Sequence, residues 1–260
     1  MTMHRISIII ATWNAEKTLQ CAFDSIIPQL NEYCELIIID GNSNDATLSI
    51  IKHNQEFISY WLSEPDKGIY DAWNKGINHC KGEWIMFMGA DDILLPNTIK
   101  IYQEFIIKEN LKGVNVISSR LNLVDENGNH KRYVGEPFDA IKYSQRKCSF
   151  AHPGLLHHKS LFQKYGNFSL EYKICSDCEF FIRNRNHIQS AFVDNISVQM
   201  QQGGMSVSYA ALKEGYAIRK KYQTISKWSN FRGFVINCIK LKLSPLKSIY
   251  LNFFNRHVNS

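Results

Sequence analysis

Apolar runs of strand length alternate with helix-period segments through the first part of the chain. ISIIIA, Ile6 to Ala11, and ELIIID, Glu35 to Asp40, are β-branched runs that stop on polar loop residues. FISYWLSE, Phe57 to Glu64, and EWIMFM, Glu83 to Met88, supply a third and a fourth strand. Between them the spacing predicts helices over Ala15 to Ile27, Ala46 to Asn54 and Ile69 to His79. Strands that are apolar on both faces need cover on both faces, so this part is expected to form a parallel sheet between helical layers. Ligands of such sheets sit beyond the carboxyl ends of the strands. Polar residues collect at those ends: Thr12 and Asn14, then Asp40, Ser43 and Asp45, then Glu64 and Asp66, then Asp91 and Asp92. Some of them can cap the helices that follow, Asn14 and Asn44 or Asp45 among them, but four clusters at one edge point to a shared ligand site.

The later part is more mixed. VNVISSRLNLVDENGNHKRYVG reads as a hairpin turning at Asn127 and Gly128. Helical segments follow around Ser160 to Tyr165 and Cys178 to Arg185, then a strand near Ser190 to Val198 and a helix from Tyr209 to about Ser226. His157 and His158 read as surface residues at a strand end.

At 260 residues the chain can bury a substantial core. The opening apolar run has only strand length and no small-residue cleavage site after it, which argues against a secretory signal. No apolar run approaches the roughly 20 residues of a spanning helix, so a soluble or peripheral protein is expected. The seven cysteines, Cys148 among them, are scattered mostly through apolar segments, as reduced thiols of a cytoplasmic protein are. Cys175 and Cys178 form a CxxC without a second pair or nearby His. Two ordinary thiols on a loop or helix start stand against a metal or redox pair.

Charge divides the chain. After Glu214 there is no acidic residue but nine basic ones, so the net +6 leaves the first 214 residues slightly acidic. From Trp228 onward Trp, Phe, Tyr, Leu and Ile interleave with Lys and Arg, and Pro245 is expected to divide this tail into two helices. Such a pattern suits an interfacial helix on an anionic leaflet; a helix packed on the main domain with a basic outer face is the alternative. No nucleic-acid-binding module accompanies the charge.

There is no GxGxxG after the first strand and no GxxxxGK[ST] anywhere, so phosphate charge must be met by other means. Adjacent Asp91 and Asp92 could hold Mg²⁺ or Mn²⁺, with diphosphate and water completing the octahedron. A solvated loop, with Pro96 opening the next helix, is the other reading of the pair.

SIIIATWNAEKTLQCAFDSI, ELIIIDGNSNDAT, EPDKGIYDAWNKGINHCKGEWIMFMGADDILLP and HPGLLHHKSLFQKYGNFSLEYKICSDCEFFIR together resemble the family 2 glycosyltransferases of GT-A fold, particularly those of bacterial O-antigen and exopolysaccharide biosynthesis. The resemblance covers roughly residues 4 to 206 and implies an α/β fold: a Rossmann-like, nucleotide-binding mixed sheet flanked by helices, followed by a C-terminal basic helical extension. It places Thr12 and Asn14 in the nucleotide pocket, Asp40 against the uracil ring and Asp66 in the loop over the base. Asp71 and Asn74 match the YDAxNKG segment. Asp91 and Asp92 match the Asp-X-Asp region, Asp92 as metal ligand and Asp91 as its partner toward ribose or metal. Gly89 and Ala90 depart from relatives, which often carry another polar or acidic residue there. Asp177 aligns with the general base and Glu179 is its nearby substitute, with an N-cap role for Asp177 as the alternative. His152 matches a position near acceptor or phosphate, and Gly203 to Ser206 resembles a Gly-Gly-X-Ser that lets backbone approach the diphosphate.

The expectation is a catalytic domain over 1–206, with a nucleotide-sugar half over about 1–110 and an acceptor half over about 111–206, and a basic helical, membrane-associating segment over 207–260. Its activity would be inverting transfer of a hexose, with glucose or galactose as the first candidates, from a UDP-sugar to a polyprenyl-diphosphate-linked saccharide. The cofactor would be Mn²⁺ or Mg²⁺ and the place the inner face of the cytoplasmic membrane. A non-catalytic nucleotide-sugar-binding or scaffold protein is the second reading. A sugar-nucleotide pyrophosphorylase would need a Gly-rich loop with Arg where this chain has ATWNAEKT.

Overall fold

A computed structural model describes residues 5–109, 111–145 and 150–258, with 244–258 as backbone alone; Cys148 lies outside them. The chain forms two compact units, Met1–Gln202 and Gly203–Ser260. The first is built on β1 (Ile6–Thr12), β2 (Cys34–Asp40), β3 (Tyr60–Ser63) and β4 (Trp84–Gly89), all parallel, in the order β3-β2-β1-β4. The sheet continues from β4 through β8 (Leu156–His158), β6 (Val116–Val124), β9 (Ser190–Gln201) and β5 (Ile93–Leu94), with β7 (His130–Val134) paired to β6. β4 and β8 are antiparallel, as are β6 and β8, whereas β6 and β9 are parallel. The two expected halves of the catalytic domain therefore share one mixed sheet.

Why the central strands are apolar throughout is visible in what each face meets. Ile6, Ile8 and Ile10 of β1, with Leu36, Ile38, Met86 and Met88, pack under α1 (Leu19–Ile26), α2 (Thr47–His53) and α4 (Thr98–Lys108). Ile9, Ile37, Ile39, Ile85 and Phe87 point the other way, onto α3 (Ile69–His79), α6 (Ser160–Tyr165) and α7 (Ser176–Arg183). Each fully buried aliphatic side chain contributes about 1.5–3 kcal/mol, and successive residues of one strand supply opposite cores. Gly76 lets α3 lie close on β1, since a Cβ there would stand 2.6 Å from Ile9 Cγ2.

The hairpin forms as expected, with Gly128 at φ 80° in its turn. The third strand is shorter than the apolar run, because a 3₁₀ turn over Gln55–Phe57 takes Phe57 and the strand begins only at Tyr60. In the second unit α8 (Tyr209–Lys221) starts on Ser208, whose hydroxyl accepts from the Ala211 amide at 3.1 Å. It ends short of the expected Ser226, with Gln223 in the left-handed region at φ 49°. α9 runs unbroken from Lys227 to Val258, so Pro245 does not divide the tail. A proline deletes one hydrogen bond and crowds one carbonyl, which bends a helix without obliging it to end. Asn230 joins the two helices, accepting from Arg219 Nε at 3.1 Å and donating to the Tyr216 carbonyl at 3.0 Å.

His157 is the clearest correction. β8 is an interior strand with partners on both sides, so His157 faces the core and is fully buried among Phe87, Phe162, Phe180 and Phe181, with ring centroids 5.2–6.3 Å away. His158, on the opposite face, is half-buried against Trp84. Burial, and then the neighbouring His152, holds the His157 imidazole well below its usual pKa. The folded protein thus refuses a proton that the unfolded chain accepts below pH ~6.5. Relative to His157→Phe, the stability of the native protein should be constant above that pH and fall below it by up to ~1.4 kcal/mol per pH unit. Urea denaturation of both proteins from pH 8 to pH 5 measures this; the comparison cancels the carboxylates common to the two.

Candidate active site at the carboxyl edge of the sheet

Three groups of side chains stand at this edge, and the first is organised by a buried carboxylate. Asp40, the last residue of β2, has no exposed surface and accepts four hydrogen bonds. One oxygen takes the hydroxyls of Thr12 at 2.9 Å and Ser43 at 2.5 Å; the other takes the Ser43 amide at 2.9 Å and the Ser63 hydroxyl at 2.7 Å. Those bonds fill the acceptor capacity of a carboxylate and tie together the ends of β1, β2 and β3. For Asp40 to accept from a uracil ring one of them must yield, and Ser63 is the least buried of the three hydroxyl residues.

Around it the loops after β1 and β2 clasp each other. Asn14, at φ 48°, donates its amide to Ser43 Oγ at 2.8 Å and accepts the Asn44 amide on Oδ1 at 3.0 Å. Asp45 takes the Glu16 amide while Glu16 takes the Ala46 amide, each at 3.1 Å. Asp66, in the loop after β3, accepts the Gly68 amide at 2.8 Å and lies directly on Gly41, where a Cβ would stand 2.7 Å from Asp66 Oδ2. Burial raises its pKa, helped by the charges of Asp71 and Asp40 and opposed by the Gly68 N–H and Lys75. Trp13 is 70% exposed beside buried Thr12. An exposed indole at a polar strand end suits a flat ring, and the motif ATWN could have flagged it.

Asp71 and Asn74 share a helix but not a partner. Asp71 Oδ2 accepts the Lys67 amide at 3.0 Å, whereas Asn74 pairs with both backbone groups of Phe168, at 3.0 and 2.9 Å. Asn74 is thus turned to the protein's own backbone.

The second group is the acidic pair beyond β4. Asp91 is exposed and Asp92 is 5% exposed, with its Oδ2 accepting the Gly89 amide at 2.8 Å. Burial, reinforced by the adjacent Asp91 charge and opposed by that amide, pushes Asp92 up to about 7. Gly89 has a reason here: a Cβ on it would stand 2.7 Å from Asp91 Oδ1 and 3.3 Å from Asp92 Oδ2. The backbone makes room for two carboxylates, and a positive charge beside them would relieve the strain of holding both ionised. The donor set fits a hard divalent cation. Among the described residues no cluster of three or more His, Cys, Asp or Glu could hold a metal ion, so most ligands would have to come from substrate and water. Asp91 is the more open of the two carboxylates, the reverse of the order expected for a primary ligand at Asp92. It also borders a cavity of about 220 Å³ shared with Lys17, Asp125, Gln199 and Gln201. A larger one, about 490 Å³, lies by Trp84 at the opposite end of β4.

The third group is on α7. Asp177 sits half-buried in its first turn and accepts from Tyr70 Oη at 2.8 Å; the same phenol also reaches the Ile174 carbonyl at 2.8 Å. Burial, and the Asp177 charge, raise Tyr70 well above its usual pKa, so it stays a donor. The helix N-cap is Cys175, so Asp177 does not fill that place. Glu179 is 1% exposed and ion-paired with Arg183 at 3.8 Å, which corrects its reading as a substitute base: a base must reach its substrate. His152, 8% exposed, stacks on Trp73 at 5.2 Å, and burial lowers its pKa against the pull of Asp177. It is part of the aromatic core behind Asp177 rather than a surface contact. Ser206 is exposed in the second unit, where Gly203 has φ 111°. Tyr70 is the residue the sequence reading missed, although it lies inside the motif that supplied Asp71 and Asn74.

Comparison with known proteins bears on the family and the fold. The sequence model described as Glycosyl transferase family 2 matches residues 7–180, from β1 to α7. A PGL/p-HBAD biosynthesis glycosyltransferase of Mycobacterium bovis (strain BCG / Pasteur 1173P2) is 30% identical over 191 residues, 70% of each chain. Among solved structures, S. aureus TarS 1-349 in complex with UDP-GlcNAc superposes with a TM-score of 0.69 at 16% identity, over 92% of this chain and 73% of that one. The mannosyltransferase PcManGT from Pyrobaculum calidifontis, in complex with GDP-Man and Mn²⁺, gives 0.62 at 14%, over 94% and 71%. With its fold, its acidic edge and these likenesses in one order along the chain, the protein belongs to glycosyltransferase family 2.

Proposed function

We propose that the protein is an inverting, metal-dependent hexosyltransferase. It moves a hexose, glucose or galactose as the first candidates, from a UDP-sugar to a lipid-diphosphate-linked saccharide in O-antigen or exopolysaccharide assembly. The observation that carries the reading is the Asp177 carboxylate, half-buried and oriented by Tyr70, in the unit whose buried β4 leads into Asp91 and Asp92. The nucleotide complexes of the two structural neighbours, and the Mn²⁺ of one, support a nucleotide-sugar donor and a divalent cation.

Asp177 has one oxygen held by Tyr70, which leaves the other to take the proton of the acceptor hydroxyl. As that proton leaves, the acceptor oxygen bonds to the anomeric carbon from the face opposite the nucleotide. The bond from that carbon to the diphosphate oxygen breaks and its electron pair leaves with UDP. An α-linked donor therefore gives a β-linked product. A divalent cation held by Asp91 and Asp92 would neutralise the departing diphosphate. In this reading Trp13 and Asp66 would meet the base, with the buried Asp40 network fixing the strand ends that carry them.

The second unit supports a lipid-linked acceptor. Trp228, Phe231, Val235, Ile239 and Leu243 follow one another at helical spacing on α9 and are all exposed, the tryptophan at 83%. Lys227, Arg232, Lys240 and Lys242 interleave with them without an acidic residue. No described helix is long and apolar enough to cross a membrane, so this helix would lie in the interface of an anionic leaflet.

Asp177→Asn should bind UDP as the native protein does and lose transfer by roughly 10²–10⁴-fold, measured as UDP release with a panel of synthetic diphosphate-lipid acceptors; unchanged turnover would place the base elsewhere. Replacing Trp228 and Phe231 together with Ala should release the protein from vesicles containing anionic lipid in a flotation assay. Undiminished binding would remove α9 from the membrane reading.

A further inference from the structure

The first turn of α7 carries a feature that transfer chemistry does not use. Cys175 is the N-cap of the helix and Cys178 follows three residues later, with Asp177 between them in sequence. Both thiols are reduced and partly exposed. Residues three apart on a helix are neighbours, with Cβ atoms about 5–6 Å apart, and a disulfide needs about 3.5–4.5 Å. A pair held at helical spacing would have to tighten by roughly an ångström or two to close. Cys175, at φ −118° and ψ 26°, lies outside helical geometry, and its carbonyl accepts the first i→i−4 bond of the helix from the Glu179 amide at 2.9 Å, so closing the bridge strains that turn.

The same turn sets the position of Asp177. The Tyr70 hydroxyl stands 2.8 Å from both the Ile174 carbonyl and Asp177 Oδ1 and has one proton to share between them, so the chain just before Cys175 and the carboxylate just after it meet at one phenol. The Tyr143 phenol is hydrogen-bonded to Cys178. Cys21 is exposed and Cys238 partly so, but neither has another cysteine three residues away. Cys80 is buried and Cys34 partly so, and burial pushes both thiols up to about 12, which leaves them unreactive.

We propose that Cys175 and Cys178 form a thiol–disulfide modification site, and that closing the bridge across the first turn of α7 draws Asp177 off Tyr70 and stops transfer. The second part rests on the reading of Asp177 as the base. The oxidant is a low-molecular-weight disulfide, RSSR. One cysteine sulfur attacks it, its S–S bond breaks, and RS⁻ leaves with the electron pair and takes up the cysteine's proton. The second cysteine then displaces the remaining RS group from the mixed disulfide. Two S–H bonds are lost from the protein, one S–S bond forms, and the oxidant is reduced to two RSH.

The test equilibrates the full-length protein in graded mixtures of reduced and oxidised glutathione, alkylates the remaining thiols, maps the peptides by mass spectrometry and measures UDP release on the same samples. A 175–178 bridge is expected, with turnover at least roughly 100-fold lower in the bridged protein and recovered on reduction. Cys178→Ser is expected to keep the reduced-form rate and show no response. Absence of that bridge, a bridge from either thiol to another cysteine, full turnover in the bridged protein, or the same loss in Cys178→Ser overturns the proposal. Asp177→Asn separates the two readings: it should still form the bridge, so a failed base shows as turnover in that variant and a failed thiol site as a missing bridge.

Discussion

A carboxylate taken out of water must find donors or a cation where it stands, and two such groups organise this molecule. Asp40 is satisfied from within by four donors drawn from three segments, and its bonds fix the ends of β1, β2 and β3 relative to one another. Asp92 is not satisfied in that way. It has the Gly89 amide and the neighbouring charge of Asp91, and its pKa is pushed up to about 7. One buried carboxylate builds the floor of the edge and the other leaves a demand for positive charge there. The site follows from that difference.

The sheet delivers both groups because its central strands are buried on both faces. β1 feeds one core with Ile8 and Ile10 and the other with Ile9, and β2 and β4 do the same beside it. Apart from Ser7 and Glu35, which bond to each other where β1 and β2 begin, these strands are apolar until they leave the helical layers, so the chemistry gathers where they end. Two glycines then permit close approach: Gly41 under Asp66, and Gly89 under Asp91 and Asp92. The absence of a third carboxylate at position 89 is what gives the other two their room.

The parallel core was legible because continuous β-branched runs and 3.6-residue periodicity are local signals; α3 begins and ends where its spacing said, Ile69–His79. The chemistry of the edge was legible as residue types at strand ends. What sequence did not disclose was which way each side chain faces once strands pair out of order. His157 is interior because β8 inserts between β4 and β6, a pairing made across long separations. Glu179 is buried because α7 turns that face to the core, while Asp177, two residues earlier, stays half-open. Asn74 is engaged by Phe168, 94 residues away, and the bond between Tyr70 and Asp177 spans 107. Pro245 misled for a different reason, since a strong local breaker was weighed without the helix on either side of it.

The account stands on the claim that Asp91 and Asp92 meet a divalent cation together with a nucleotide diphosphate, because the protein alone offers too few ligands to hold the ion well. Electron paramagnetic resonance of Mn²⁺ reads this directly. Titrating the protein into Mn²⁺ should leave the free-ion signal nearly intact, adding UDP should remove it beyond what UDP alone removes, and Asp91→Ala should abolish that difference. Equal uptake of Mn²⁺ by Asp91→Ala, or UDP binding indifferent to Mn²⁺, would contradict the account.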